Sequence, residues 1–344
     1  MSGREPAGHL ALDRALATGL VPDRVVRTAA RRAARQRIGQ ETEGGVTGIE
    51  QRLDGMVERM SSGPVAEQVE SANRQHYEVP TEFFRLFLGP RMKYSACWWP
   101  HGVTDLAEAE EATLDLSCRR AGIEDGMTVL DLGCGWGSMS LWIAERYPGC
   151  RITAVSNSRT QRQAIEAEAR TRGIDNLEVI TTDIGRFETE GRFDRVVSIE
   201  MFEHLRNWRE LMRRISSWLE PGGRFFLHVF SNRRFAYRFT DSWFASRFFT
   251  AGTMPSHDLT LFFQDDLVLE ERWLFDGTHY ARTLEAWLDR LDARREEAKG
   301  LLGSGSRASL AAWRVFLMAA AETWNYDSGQ EWVVSHYLFK PRHV

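Results

Sequence analysis

Two patterns of apolar and polar positions divide the chain. From residue 127 short apolar runs alternate with amphipathic stretches. "MTVLDLGCG", "CRITAVSNS", "LEVITTD", "FDRVVSIEMF" and "RFFLHVF" read as strands. "SMSLWIAERY", "TQRQAIEAEARTRG" (stopping at Gly173) and "WRELMRRISSWLEPGG" read as the helices between them. Alternation on this scale predicts an α/β fold, a parallel sheet with helices on both faces. Before it, residues 9–75 read as helices broken at "GQETEGGVTG", followed by the irregular aromatic stretch "NRQHYEVPTEFFRLFLGPRMKYSACWWP" and an amphipathic helix over 107–121. Residues 231–290 lose the rhythm and crowd aromatics; then come a helix, "SRASLAAWRVFLMAAAETW", and a final strand, "EWVVSHYLFKP". The expected division is an N-terminal helical segment (1–90), a sheet core (91–230), an aromatic insertion (231–304) and a C-terminal helix and strand completing the core (305–344).

Composition narrows this picture. With 344 residues and 43% apolar content the chain can bury a substantial core. No apolar run is long enough to span a bilayer, and "MSGREPAGHLALDRALATG" has no segment of signal-peptide type. Cys97, Cys118, Cys134 and Cys150 show no close metal-ligand pairing, so no metal and a reduced, cytoplasmic setting are expected. A net charge of -4 argues against general nucleic-acid binding. "DRVVRTAARRAARQR" puts Arg24, Arg27, Arg31, Arg32, Arg35 and Arg37 on one helix. That is read first as a solvated face, with weak docking on an anionic membrane as the second reading.

Chemistry enters at the strand ends. "VLDLGCGWG" spaces Gly133, Gly135 and Gly137 as G-x-G-x-G, unlike the dinucleotide G-x-G-x-x-G. Glycines still permit a tight turn and close approach of a ligand, and the next helix N-terminus favours a negative group such as a carboxylate. After the second strand stand Ser156, Asn157 and, one turn on, Gln161, neutral partners for ribose hydroxyls. After the third stand Asp183, an acceptor for an adenine amino group, and Ile184, which can pack on the ring. Carboxylate, ribose and base in order fit S-adenosylmethionine. A dinucleotide oxidoreductase fails on glycine spacing and on the missing acidic residue after the second strand. A noncatalytic scaffold would need a broken cofactor site, and these positions carry suitable residues.

On these motifs the chain resembles the class I, Rossmann-like methyltransferases. More narrowly it resembles the cyclopropane fatty-acid synthase superfamily and its coclaurine-type, benzylisoquinoline N-methyltransferase branch. "NRQHYEVPTEFF", "DGMTVLDLGCGWGS", "VSIEMFEH", "AGTMPS", "FQDD" and "GTHYARTLEAW" carry the narrower likeness, which runs over nearly the whole chain. The resemblance implies cofactor roles for Tyr94, Ser95 and Ile199 beside Gly133, Gly135, Asn157, Gln161, Asp183 and Ile184. It also points to Glu200, Glu203 and His204 as the amine-facing set, with Tyr77 and Glu78 nearby.

The reaction that follows is methyl transfer to a secondary or tertiary amine. Such an amine is mostly protonated near neutral pH, so the site must accept a proton and tolerate a cation. In "EMFEH" a helical turn would put Glu200, Glu203 and His204 on one face. His204 is the expected base, with Glu203 and Glu200 orienting and binding. The plain alternative is a helix start with acidic residues for its dipole and an exposed histidine. The 231–304 insertion is either a second small core or a substrate lid, and its position after a strand end favours the lid. Phe235, Tyr237, Phe239 and Trp332 are the expected apolar walls, and residues 1–90 the cap over the cofactor.

The rival chemistry is methylation of an alkene carbon, as in cyclopropane synthases, where a bound bicarbonate is thought to take the proton. The resemblance places a cysteine directly after "YS" in that anion pocket; this chain has Ala96 there, with Cys97 one residue on. Glu203, His228 and Tyr280 match its other polar members, although a lone histidine in "FFLHVF" also reads as a hydrogen-bonded core residue. A small-molecule amine as partner, no nucleic acid, no stable membrane insertion and at most a homodimer complete the expectation.

Overall fold

The computed structural model describes residues 21–66, 79–239, 248, 252–303 and 306–342. Three helices open the described chain: α1 (Asp23–Glu41), α2 (Gly45–Arg59) and α3 (Thr81–Phe87). α4 (Leu106–Ala121) starts where Asp105 accepts a hydrogen bond from the Glu108 N–H at 2.9 Å and stops at left-handed Gly122. The alternating core follows: β1 (Thr128–Leu132), α5 (Ser138–Arg146), β2 (Arg151–Ser156), α6 (Arg159–Arg172), β3 (Leu177–Thr181), β4 (Phe193–Ile199), α7 (Trp208–Trp218) and β5 (Leu219–Asn232). α6 is capped by Ser158 and ends at Gly173, where the sequence places the stop. α7 ends earlier than expected, so "LEPGG" opens β5 instead of closing the helix.

These strands belong to a seven-stranded sheet in the order β3-β2-β1-β4-β5-β9-β8. Strands β1 to β5 run parallel, whereas β9 (Trp332–Pro341) pairs antiparallel with both β5 and β8 (Leu267–Asp276). The sheet is therefore mixed, and β8 departs from the expected aromatic insertion of 231–304. Its outer positions Glu270, Glu271 and Arg272 are exposed, the charged dressing of a sheet edge. A register shift between Leu269 and Glu271 breaks its alternation.

Among the described residues of the insertion, β6 (Tyr237–Arg238) pairs with β7 (Thr253–Met254). The helices α8 (Thr278–Ala293), α9 (Arg295–Leu302) and α10 (Ser306–Trp324) then pack over the sheet's C-terminal ends together with α3. α1 joins this layer through ion pairs. Arg27 bonds Glu285 of α8 at 2.7 Å and Glu322 of α10 at 3.1 Å, Arg31 bonds Glu322 at 2.6 Å, and Arg314 of α10 reaches Asp23 at 2.7 Å. The basic helix thus spends part of its charge inside the molecule, while Arg24, Arg32 and Arg35 are exposed. No helix among the described residues is long and apolar enough to cross a membrane.

Candidate active site

The C-terminal ends of β1, β2, β3 and β4 open into one cavity of about 250 Å³. Beyond β1 the backbone turns through left-handed Gly133 and Gly135, at φ 77° and 55°. A Cβ on Gly133 would lie 2.7 Å from the Met201 side chain, whereas one on Gly135 would meet nothing within 4 Å. Gly133 is thus demanded by sterics as well as conformation, and Gly135 leaves space for a ligand. The buried Asp131 carboxylate accepts from Ser140 Oγ at 2.5 Å and so anchors the first turn of α5. Burial pushes its carboxyl up to about 6, against the opposing pull of that hydrogen bond.

Next in the cavity come the residues after β2 and β3. Gln161 accepts from Ser156 Oγ through Oε1 at 2.7 Å, which leaves its amide N–H groups to donate. Asn157 stands beside it, and Asp183 accepts from the Gly185 N–H at 2.8 Å through Oδ1 alone. Tyr94, Ser95, Ile184 and Ile199 line the same cavity. The glycine cradle and this ordered set of donors and acceptors fit S-adenosylmethionine.

The other end of the cavity departs from the expected geometry. Glu200, Glu203 and His204 do not share a helical face. Glu200 ends β4 with φ 47°, uncommon for a non-glycine residue, and only Phe202–His204 form a short 3-10 turn. The left-handed step sends Glu200 apart from the other two. Its Oε1 accepts from the Ala96 N–H at 2.8 Å and faces His228 Nε2 at 3.2 Å, and its Oε2 accepts from Tyr280 Oη at 2.9 Å. Burial works against its ionisation, but the hydrogen bonds from His228 and the Ala96 N–H and the nearby Lys93 charge outweigh it and hold the carboxyl below its ordinary value.

Glu203 behaves oppositely. It is fully buried, accepts from the Phe230 N–H at 3.3 Å, and among the described residues has no partner for Oε2. Burial first, and the neighbouring Glu200 charge second, raise its carboxyl well above the ordinary range. His204 is half-buried and lines the cavity beside Glu200.

The walls also differ from expectation. Phe235, Tyr237, Phe239 and Trp332 are not among the described residues lining the cavity. Tyr237 and Trp332 are buried and bonded to each other at 3.0 Å, and Phe239 packs behind Phe230 with ring centres 6.4 Å apart. Tyr77 and Glu78 lie outside the described residues. The rings at the cavity are instead Phe84, Trp136, Phe230, Tyr280, Trp287 and Phe316. Three of the quoted motifs hold such rings: "NRQHYEVPTEFF" Phe84, "DGMTVLDLGCGWGS" Trp136, and "GTHYARTLEAW" Tyr280 and Trp287; Phe316 sits in a helix whose sequence reads as ordinary core. Ala96 faces Glu200, while its neighbour Cys97 is buried in the aromatic cluster, outside the cavity lining, its thiol pushed up to about 12 by burial.

This arrangement can be set against known proteins. The family model for mycolic acid cyclopropane synthetase matches residues 66–332. The chain belongs to that family. It is 37% identical over 344 residues to (S)-coclaurine N-methyltransferase of Thalictrum flavum subsp. glaucum, covering 95% of this chain and 94% of that one. The crystal structure of coclaurine N-methyltransferase bound to N-methylheliamine and SAH superposes with a TM-score of 0.93 at 36% identity, covering 97% of this chain and 100% of that one. The cyclopropane-fatty-acyl-phospholipid synthase of Escherichia coli (strain K12) is 30% identical over 220 residues, 63% of this chain and 55% of that protein. The chain is an S-adenosylmethionine-dependent methyltransferase. Likeness to the N-methyltransferase covers nearly the whole chain, the N-terminal helices and α8 to α10 included.

Proposed function

We propose that this methyltransferase methylates the nitrogen of a secondary or tertiary cyclic amine of tetrahydroisoquinoline type. Tyr94, Ser95, Gly133, Gly135, Asn157, Gln161, Asp183, Ile184 and Ile199 are the residues that would hold S-adenosylmethionine. When bound, the cofactor supplies an electrophilic methyl group on its sulfonium. The chain's own residues must hold the amine in line, keep water out and take the amine proton. Alignment alone can contribute about 7–11 kcal/mol.

The observation that carries the reading is the Glu200 carboxylate at the cavity, gripped by Ala96, His228 and Tyr280. An ionised carboxylate there draws in an ammonium. His204 takes its proton, and Glu203, whose carboxyl burial and the Glu200 charge push upward, orients the turn. Phe230, Tyr280, Trp287 and Phe316 offer ring faces worth about 0.5–2 kcal/mol to a desolvated cation. The relatives named for coclaurine, and the solved one holding N-methylheliamine, support the amine class. Residues 1–90 are proposed as the cap and the segment between β5 and β8 as the cover.

Alkene methylation is the weaker reading. It needs an anion in the pocket of His228 and Tyr280. Here Glu200 already engages both groups, and Ala96 offers its backbone N–H to the same carboxylate. Glu200 supplies from its own side chain the charge that a bicarbonate would bring.

The test is methyl transfer from labelled S-adenosylmethionine to two panels, tetrahydroisoquinolines and related cyclic amines, and unsaturated phospholipid vesicles with bicarbonate. Label on the amines alone is expected. Label on the lipid alone would reverse the assignment.

A further inference from the structure

Behind Glu200 a buried row of groups continues from His228, beyond the contacts the proposed reaction uses. His228 on β5 and His336 on β9 are directly paired across the sheet, both with no exposed surface. His336 Nε2 stands 2.9 Å from His228 Nδ1, and Arg120 of α4 stands 3.0 Å from His336 Nδ1. The guanidinium lies over the rings of Trp273 and Phe275, 4.8 and 5.0 Å from their centres, and among the described residues its polar partner is this histidine.

The order of donors follows from Arg120. A guanidinium only donates, so His336 Nδ1 accepts and carries no proton. A neutral His336 then bears its proton on Nε2 and donates to His228 Nδ1. His228 in turn bears its proton on Nε2 and donates to Glu200 Oε1. Burial favours the neutral form of both rings, His336 lying well below its ordinary value and His228 below it. Burial also lowers Arg120, to about 10, which leaves it cationic at neutral pH.

We propose that Arg120, His336 and His228 form a one-way hydrogen-bond chain that holds Glu200 oriented and ionised, which makes Arg120 and His336 positioning residues of the methyl-transfer site. The chain holds a proton arrangement and does not conduct. A proton placed on Glu200 could move only toward an arginine that cannot accept it. The amine proton therefore leaves on the His204 side, where the ring is half-buried and lines the cavity. Lys93, Tyr94, Cys97, Glu203 and Tyr280 are the other titratable groups that face Glu200 or its partners.

The inference rests on the proposed reading for its kinetic consequence, but not for its structural one. Nitrogen-15 NMR of histidine-labelled protein without substrate reads the tautomers directly. Both rings are expected as neutral Nε2–H forms that do not titrate between pH 6 and 9; an Nδ1–H form of His336 overturns the chain. This result stands even if no amine is methylated.

Turnover then tests the positioning role. His336→Leu is expected to lower kcat by about 10–100-fold, the loss for one hydrogen bond to a charged group. S-adenosylhomocysteine affinity should hold, and the acidic limb of the kcat profile should move to higher pH. His336→Gln, whose amide accepts from Arg120 and donates to His228, should restore most of that loss. Arg120→Met should resemble His336→Leu, and covers the case in which the leucine variant does not fold. Equal kcat in His336→Leu or Arg120→Met and the parent, or no difference between His336→Leu and His336→Gln, overturns the proposal.

Discussion

The two ends of the cavity are built in different ways. The cofactor end is assembled from three short segments, each lying directly after one strand: Gly133 to Gly135, Asn157 to Gln161, and Asp183 to Ile184. Parallel strands in register bring those segments side by side, so order along the chain becomes order along the ligand. The end proposed for the amine draws on Ala96, Glu200, His228, Tyr280 and, behind them, His336 and Arg120. They come from a loop, three strands or strand ends and two helices. The first end, if it holds the cofactor as proposed, would spread binding over many contacts. The second depends on a few buried polar groups, each of which leaves its partner unsatisfied when removed.

Breaking the amine end should therefore cost the most. His204→Ala is expected to reduce kcat by about 10²–10⁴-fold, the range for a general base, with S-adenosylhomocysteine affinity measured by calorimetry little changed. Collapse of cofactor binding with turnover per bound complex intact would remove His204 from the base role. At the cofactor end, Gly133→Val combines a disfavoured φ with a clash on Met201, and should weaken S-adenosylhomocysteine binding by about 10–100-fold, the equivalent of about 1–3 kcal/mol of backbone strain. Asn157→Ala removes one hydrogen-bonding amide among several and should raise the cofactor dissociation constant by about 3–10-fold. An unaltered constant would count against the ribose role.

The smallest effect sharpens the contrast between the two glutamates. Glu203 holds its proton in the folded state well above the pH at which the unfolded chain gives it up. Its stabilising contribution is thus complete below the unfolded value and falls away as pH rises toward the folded one. Glu203→Gln keeps the neutral form and removes that dependence. The melting temperature of the variant relative to the parent should climb from pH 5 to 9, by a few degrees at most. A constant difference across that range would mean that Glu203 is ionised.

Several parts of the molecule were legible in the sequence because they rest on local chemistry. The strand and helix alternation from residue 127, the Gly173 stop and the strand-end residues that line one cavity depend on periodicity, capping and glycine conformation, each encoded within a few residues. β8 was hidden because an edge strand wears charges and its register shift breaks the period of two that marks a strand. The aromatic residues 235, 237, 239 and 332 were read as walls because ring content cannot tell a second layer from a first. They pack behind the cavity, and α8 and α10 supply the rings that face it.

By itself the sequence determined the fold class, the cofactor and the residue types available for moving a proton. Only the tertiary structure decided what those types become. A left-handed step at Glu200 separates carboxylates three positions apart, giving one a ring of donors and leaving the other buried beside its charge. Pairing of β5 with β9 sets two histidines from distant parts of the chain against each other, with an arginine to fix their protons. Protonation depends on burial and on neighbours brought together by folding, and neither is written in the local sequence around an ionisable group.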